Sequence, residues 1–380
     1  MTPRNRRSLA GLVIVALLAA GAADAQTPWQ SAEVLGETIA PGQKWLLSWV
    51  SGETFTGSPV PIPVRVARGF EPGPTLCLTA GIHGDELNGI EVVRRILQEI
   101  DPSALRGMVI GVPIVNLHGF RQASRYLPDR RDLNRHFPGR ANGSAASRIA
   151  RSFFEQVIAH CDTLVDLHTG SFHRSNVPQV RADLTDSGAF ELAKDFGSGV
   201  VVHAAREPGT LRHAAGDVGI PAISYEAGEP MRFQPAEVDE GVRGVRELLA
   251  RRGMLSPRPR RGQRQEIYYR ARWVRVDDGG ILISDVELGD AVKVGDVLGV
   301  VTDPISNERS IVKSPYDGRV LGMALNQVVI PGFAAFHVGI RGDDYRVLVE
   351  EPAEGQSLEP DAGSSEPATE DQLDVDERPE

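Results

Sequence analysis

The chain is 380 residues long, 41% hydrophobic and carries a formal net charge of −10, which allows about two domains and a sizeable core. The charge is concentrated at one end: residues 351–380 hold eleven Asp and Glu against one Arg, a balance of −10, so the remaining 350 residues are neutral as a set. A neutral body with an acidic tail excludes a nucleic-acid surface built on net charge, and a content of two cysteines excludes a disulfide scaffold.

Residues 1–25 have the pattern of a secretory signal peptide. Arg4, Arg6 and Arg7 precede an apolar run from Leu9 to Ala20, and the small-residue site Ala23-Asp24-Ala25 predicts cleavage after Ala25. The run is shorter than the ~20 residues a membrane span needs, so no stable membrane span is expected after cleavage. The expected location is outside the cytoplasm, in the periplasm. Cys77 and Cys161 read as small buried hydrophobes, with pairing as the alternative open to an exported chain.

Residues 26–68 contain short apolar runs, Lys44 to Val50 and Val60 to Val66, broken by Gly and Pro, and read as β-strands leading into the main fold. From residue 69 to 253 strand-like runs alternate with helical patterns. The strands are Thr75 to Thr79, Met108 to Val115, Thr163 to Leu167, Gly199 to His203 and Ala222 to Tyr225; the helices are Leu87 to Ile100, Ala145 to Ala159, Phe190 to Phe196 and Glu237 to Arg251. Such alternation predicts an α/β domain with a mainly parallel sheet flanked by helices, and ligands gather at the carboxyl ends of such strands. An Arg- and Pro-rich linker (254–265) follows. Residues 266–350 then show short β runs with Gly-Asp turns in two similar halves, and resemble the small all-β barrel-sandwich module of biotinyl and lipoyl carrier domains. No Met-Lys-Met is present, so the module is read as structural or substrate-gating. The tail 351–380, rich in Pro, Ser and Gly, is expected to be disordered.

Chemistry-bearing residues recur at the strand ends. The turn Gly81-Ile82-His83-Gly84-Asp85-Glu86 sets a His and a Glu three residues apart between a strand and a helix, and both are ligands for a borderline metal such as zinc. The run Leu164 to Gly170 delivers His168 to a second such turn, with Asp166 and Asp162 as candidates to orient it. His83, Glu86 and His168 together leave a fourth zinc position open, as catalytic sites do. Between them lies a guanidinium-rich loop, Ser124 to Gly139. Asn134 and Arg135 are candidates to hold a substrate carboxylate, and Arg125 to polarise the scissile carbonyl. Glu226 ends another strand and is the candidate general base, with Glu229 as its competitor.

In this order the motifs G-x-H-G-x-E, D-L-N-R-x-F, D-L-H and E-x-G resemble the succinylglutamate desuccinylase/aspartoacylase family, a branch of the zinc carboxypeptidase superfamily, over residues 69–252. The resemblance implies a zinc carboxypeptidase-like fold, one Zn2+ held by His83, Glu86 and His168, substrate binding by Asn134 and Arg135, and acid/base catalysis by Glu226. Arg125 matches the carbonyl-polarising arginine, with Arg121, Arg130 and Arg131 competing, and Arg212 in Gly209-Thr-Leu-Arg212 is a further pocket arginine. A C-terminal β domain that narrows the pocket is also implied. The expected activity is zinc-dependent hydrolysis of an amide next to a carboxylate in a small molecule or short peptide. An exported carboxypeptidase acting on peptides or cell-wall peptides is the alternative within the class, and a non-catalytic periplasmic binding protein is the alternative outside it. The acyl group, the amine and the oligomeric state stay open.

Overall fold

The computed structural model describes residues 32–53, 58–257 and 265–342. The expected signal peptide, most of the linker and the acidic tail lie outside the described residues. A hairpin of β1 (Ala32–Val34) and β2 (Glu37–Ile39) leads to the antiparallel pair β3 (Gln43–Glu53) and β4 (Pro59–Arg68). A parallel β-α-β unit follows: β5 (Glu71–Ala80), α1 (Asn88–Glu99) and β6 (Arg106–Val112). Next come α2 (Leu117–Arg121), α3 (Ala145–Gln156), β7 (Thr163–His168), β8 (Arg174–Ala182), α4 (Ser187–Phe196), β9 (Val200–His203), α5 (Leu211–Asp217), β10 (Ala222–Gly228) and α6 (Pro235–Arg251).

The sheet is mixed. Its centre, in the order β10-β7-β5-β6, is parallel, and β8 and β4 flank it in antiparallel sense. The central strands are buried on both faces, as a sheet covered by helices on each side requires. One core cluster takes Val92 of α1, Leu192 of α4 and Val245 of α6. The other takes Phe153 of α3 and Leu211 of α5. The mixed α/β architecture is therefore the expected one.

The strand β8 escapes a periodicity search, because Arg174, Ser175, Asn176, Gln179 and Arg181 are polar yet buried. It is the strand on which the C-terminal segment docks. That segment comprises β11 (Glu266–Tyr268), β12 (Ala271–Arg275), β13 (Gly280–Ser284), β14 (Ala291–Val292), β15 (Val297–Thr302), β16 (Arg309–Lys313), β17 (Gly318–Ala324), β18 (Gln327–Val329) and β19 (Ala334–Ile340). Through β17 on β8 and β11 on β9, its strands extend the main sheet. The strands β16-β15-β13-β18 form a separate four-stranded sheet over a third core cluster.

One favoured reading is corrected. Cys77 and Cys161 are joined in a disulfide, with Cα atoms 5.7 Å apart. The reason is topological: Cys77 lies on β5 and Cys161 just before β7, and these strands are neighbours with Cys77 opposite Leu164.

Candidate metal centre and active site

The ends of β5 and β7 bring the three expected ligands together. After β5 the chain turns at Gly81, in left-handed conformation with φ +60°. Gly84 sits so close to α2 that a Cβ would lie 2.0 Å from the Gly119 carbonyl carbon, so the turn tolerates no side chain there. His83 and Glu86 are thereby aimed at His168, the last residue of β7. The ligand atoms of the three lie within 4.8 Å of one another, and all three residues are buried.

The three residues could hold a metal ion, and hydrogen bonds support each of them. Both Nδ1 atoms meet the Glu86 carboxylate, His83 at 2.8 Å from Oε1 and His168 at 2.9 Å from Oε2. Both Nε2 atoms meet aspartates, His83 at 3.0 Å from Asp132 and His168 at 2.8 Å from Asp166. Asp166 in turn accepts from the Thr79 hydroxyl, and the Thr169 N–H donates to Glu86. Carboxylates behind metal-ligating imidazoles fix the ring and leave the other nitrogen for the metal. Two imidazole nitrogens and a carboxylate suit a borderline divalent cation, so the donor set fits.

Electrostatics agrees with the geometry. Burial disfavours the charged His168 ring, yet Asp166 and Glu86 outweigh it and hold the imidazole well above its ordinary range. Burial and Arg125 push His83 down, and Glu86 and Asp132 more than reverse this. Burial favours a neutral Glu86, but the two histidines beside it hold its carboxyl below the usual range. Such a concentration of anionic oxygen around two imidazoles is what a bound cation would relieve.

The other expected residues line one cavity of about 220 Å3 beside this centre: Arg125, Asn134, Arg135, Arg212 and Glu226. Arg125 donates to Asp132 at 2.8 Å and to Glu86 at 3.2 Å, whereas Arg121, Arg130 and Arg131 do not line the cavity. Asn134 accepts from the Leu211 N–H, tying its turn to α5. Glu226, at the end of β10, accepts from the Asn176 amide at 3.2 Å, while Glu229 lies outside the cavity and pairs with Arg232. Asp162 does not orient His168; it accepts from the Thr75 N–H. Arg212 is present but engaged, donating to the carbonyls of Ala204 and Ala205, and burial lowers it to about 10.

Sequence reasoning missed several residues of the site. Asp132 behind His83 was legible in retrospect, since it opens the Asp132-Leu133-Asn134-Arg135 run. Asn176 and Arg181 sit on the overlooked β8. Arg181 lines the cavity, is 6% exposed, and its Nε has no hydrogen-bond partner. Trp273 and Phe333, from the C-terminal segment, also line the cavity, with the Arg174 guanidinium against both rings at 5.0 and 4.4 Å from their centroids.

The family profile described as the succinylglutamate desuccinylase/aspartoacylase catalytic domain matches residues 72–252. An N-alpha-acetyl-L-2,4-diaminobutyric acid deacetylase of Halomonas elongata is 28% identical over 266 residues, covering 67% of this chain and 78% of that protein. Among solved structures, a succinylglutamate desuccinylase/aspartoacylase from Rhodobacter sphaeroides superposes with a TM-score of 0.72 at 24% identity, covering 79% of this chain and 96% of the other. A product-bound ectoine utilization protein from Ruegeria pomeroyi gives a TM-score of 0.71 at 24% identity, covering 80% and 98%. These two structures share the fold.

Proposed function

The chain belongs to the succinylglutamate desuccinylase/aspartoacylase family, and from that premise we propose that it is a zinc-dependent deacylase that hydrolyses the amide of a small N-acyl amino acid beside its carboxylate. One observation carries the reading: a complete His83–Glu86–His168 donor set opens onto the same cavity as Glu226. When bound there, zinc would act as a Lewis acid and lower the pKa of water.

The chain's own residues do the rest. Asn134 and Arg135, on one turn of the cavity wall, hold the substrate carboxylate by a charge-assisted pair. Arg125, held against Glu86 and Asp132, stabilises the charge that develops on the acyl oxygen. Glu226, steadied by Asn176, takes a proton from the attacking water and passes it to the leaving nitrogen. Water oxygen bonds to the acyl carbon as the carbon–nitrogen bond breaks, giving a carboxylic acid and an amine. Trp273 and Phe333 of the C-terminal segment line a cavity of about 220 Å3, a size that suits a small acylated amino acid.

Export to the periplasm is part of the proposal. The Cys77–Cys161 disulfide supports it, since disulfides persist in oxidising compartments. The test is metal analysis of the mature protein beside hydrolysis of a panel of N-acyl amino acids and peptides. One zinc per chain and turnover that chelation abolishes and zinc restores are expected; stoichiometric zinc without turnover on any substrate would return the chain to a binding role.

A further inference from the structure

Glu226 is held from a second strand, and that strand is held from the C-terminal segment. A row of register partners crosses the sheet through Trp273 of β12, His337 of β19, Gly322 of β17 and Asn176 of β8. Asn176 stands opposite Gly228 on β10, and its Nδ2 donates to Glu226 Oε2 at 3.2 Å. A regular ladder would not bring them together. Between the pairs Glu226–Gln179 and Gly228–Asn176, β10 advances two residues and β8 three. The extra residue is a β-bulge, and it turns Asn176 onto the cavity side with Glu226. The other end of the Asn176 amide is an orphan: Oδ1 is buried with no hydrogen-bond partner among the described residues, which folded chains rarely tolerate. It lies over Gly322, where a Cβ would stand 2.4 Å from Oδ1 and 3.5 Å from both His337 Cβ and the Ser175 carbonyl oxygen. A glycine hydrogen fits there and is a weak donor to oxygen; a methyl group fits only if Asn176 moves. The amide cannot turn end for end, because the Glu226 carboxylate accepts and so requires the Nδ2 side.

We propose that Gly322 and Asn176 are positioning residues for the base. Gly322 seats the Asn176 amide, and the seated amide sets the Glu226 carboxylate toward the attacking water. Both act through Glu226, so the inference rests on the reading of Glu226 as the base, which Glu226→Gln tests by itself. It gives the C-terminal segment a part in the chemical step, beyond the wall that Trp273 and Phe333 supply to the cavity. The contact reaches across the sheet by one residue: β17 is itself bulged between Val320 and Gly322, at the point where it meets Asn176. Gly322 is not among the glycines of positive φ, so alanine is admissible to its backbone and only the added methyl group matters.

The test is a double-mutant cycle on the zinc-loaded mature chain, with kcat, KM and zinc content measured for each variant. Gly322→Ala drives its methyl group against Oδ1 and should lower kcat about 10- to 100-fold, the scale of a displacement of about 1 Å at a reacting group, with KM and zinc content unchanged. Asn176→Ala should lower kcat by a similar factor. Adding Gly322→Ala to Asn176→Ala should then change kcat by less than about twofold, because the group it displaces is gone. Losses that multiply in the double variant overturn the proposal, and so does full activity of either single variant. Should Gly322→Ala fail to fold, the double variant is expected to fold, since the obstructed amide is absent; a double variant that also fails places the obstruction elsewhere and overturns the proposal. Multiplied losses beside an inactive Glu226→Gln sink this inference and leave the base in place, whereas a fully active Glu226→Gln removes the base itself.

Discussion

Glu226 and His168 are register partners on the parallel strands β10 and β7. The proposed base and a proposed metal ligand are thus fixed by one ladder of backbone hydrogen bonds. Glu226→Gln should keep the shape, the Asn176 contact and the metal, and lose the proton transfer, which is worth about 10²- to 10⁴-fold. Unchanged zinc content with kcat reduced by that factor is the expected result; full activity would remove Glu226 from the mechanism.

The aspartates behind the histidines make a separable prediction. Asp132→Asn and Asp166→Asn leave the three ligands in place but weaken the acceptors at His83 Nε2 and His168 Nε2. Metal affinity should fall about 10- to 100-fold. Competition with a chromogenic chelator measures this directly, and excess zinc should recover much of the lost turnover.

Arg181 links stability to function with opposite signs. A guanidinium with 6% exposure and an unpartnered Nε is costly to bury. Arg181→Met should therefore raise the free energy of unfolding by about 1 kcal/mol or more. If the cation receives an anionic group of the substrate, the same change should raise KM roughly 10- to 100-fold, the worth of a hydrogen bond to a charged group. Denaturant titration and steady-state kinetics on one variant decide it, and a destabilised variant with normal KM would make Arg181 a structural residue.

What the sequence made legible follows from where its signals are local. His83 with Glu86, and His168, stand in short motifs at the ends of apolar runs, so their meeting could be read from strand-to-turn periodicity. β8 could not be read in this way. Its Arg174, Asn176 and Arg181 line the cavity, so burial there does not look apolar, and Asn176 and Arg181 do not stand out in the sequence. The cavity wall of Trp273 and Phe333 comes from 91 and 151 residues beyond the end of β8 at Ala182, and the pairings of β17 on β8 and β11 on β9 bring it there. The disulfide stood in the sequence only as the alternative reading, because pairing depends on β5 and β7 being neighbours.

That disulfide closes a loop with a sequence separation of 84. Replacing both cysteines by alanine frees the unfolded chain and should cost about 2–5 kcal/mol. β5, which leads into the His83–Glu86 turn, and β7, which ends on His168, lose their covalent tie, so metal affinity is expected to fall together with Tm. Calorimetry of the double variant, with and without zinc, separates the two effects.

His337 supplies the pH dependence. It lies on β19 with its ring stacked on Trp273. Burial, then Arg181 and Arg174 of β8 and Arg272 of β12, hold its imidazole well below the ordinary value of 6.5. A depressed folded value means that the unfolded chain binds the proton first. The stability contributed by neutral His337 is present above pH 6.5 and is lost as pH falls from there toward the folded value, by at most about 1.4 kcal/mol per pH unit. His83 and His168 act in the opposite sense when no metal is bound, so total stability is a poor readout. The difference between wild type and His337→Gln cancels their contribution. Urea titrations of the two proteins from pH 7.5 to acid should show the wild type losing stability faster below pH 6.5, and parallel profiles would mean that His337 is protonated in the folded chain.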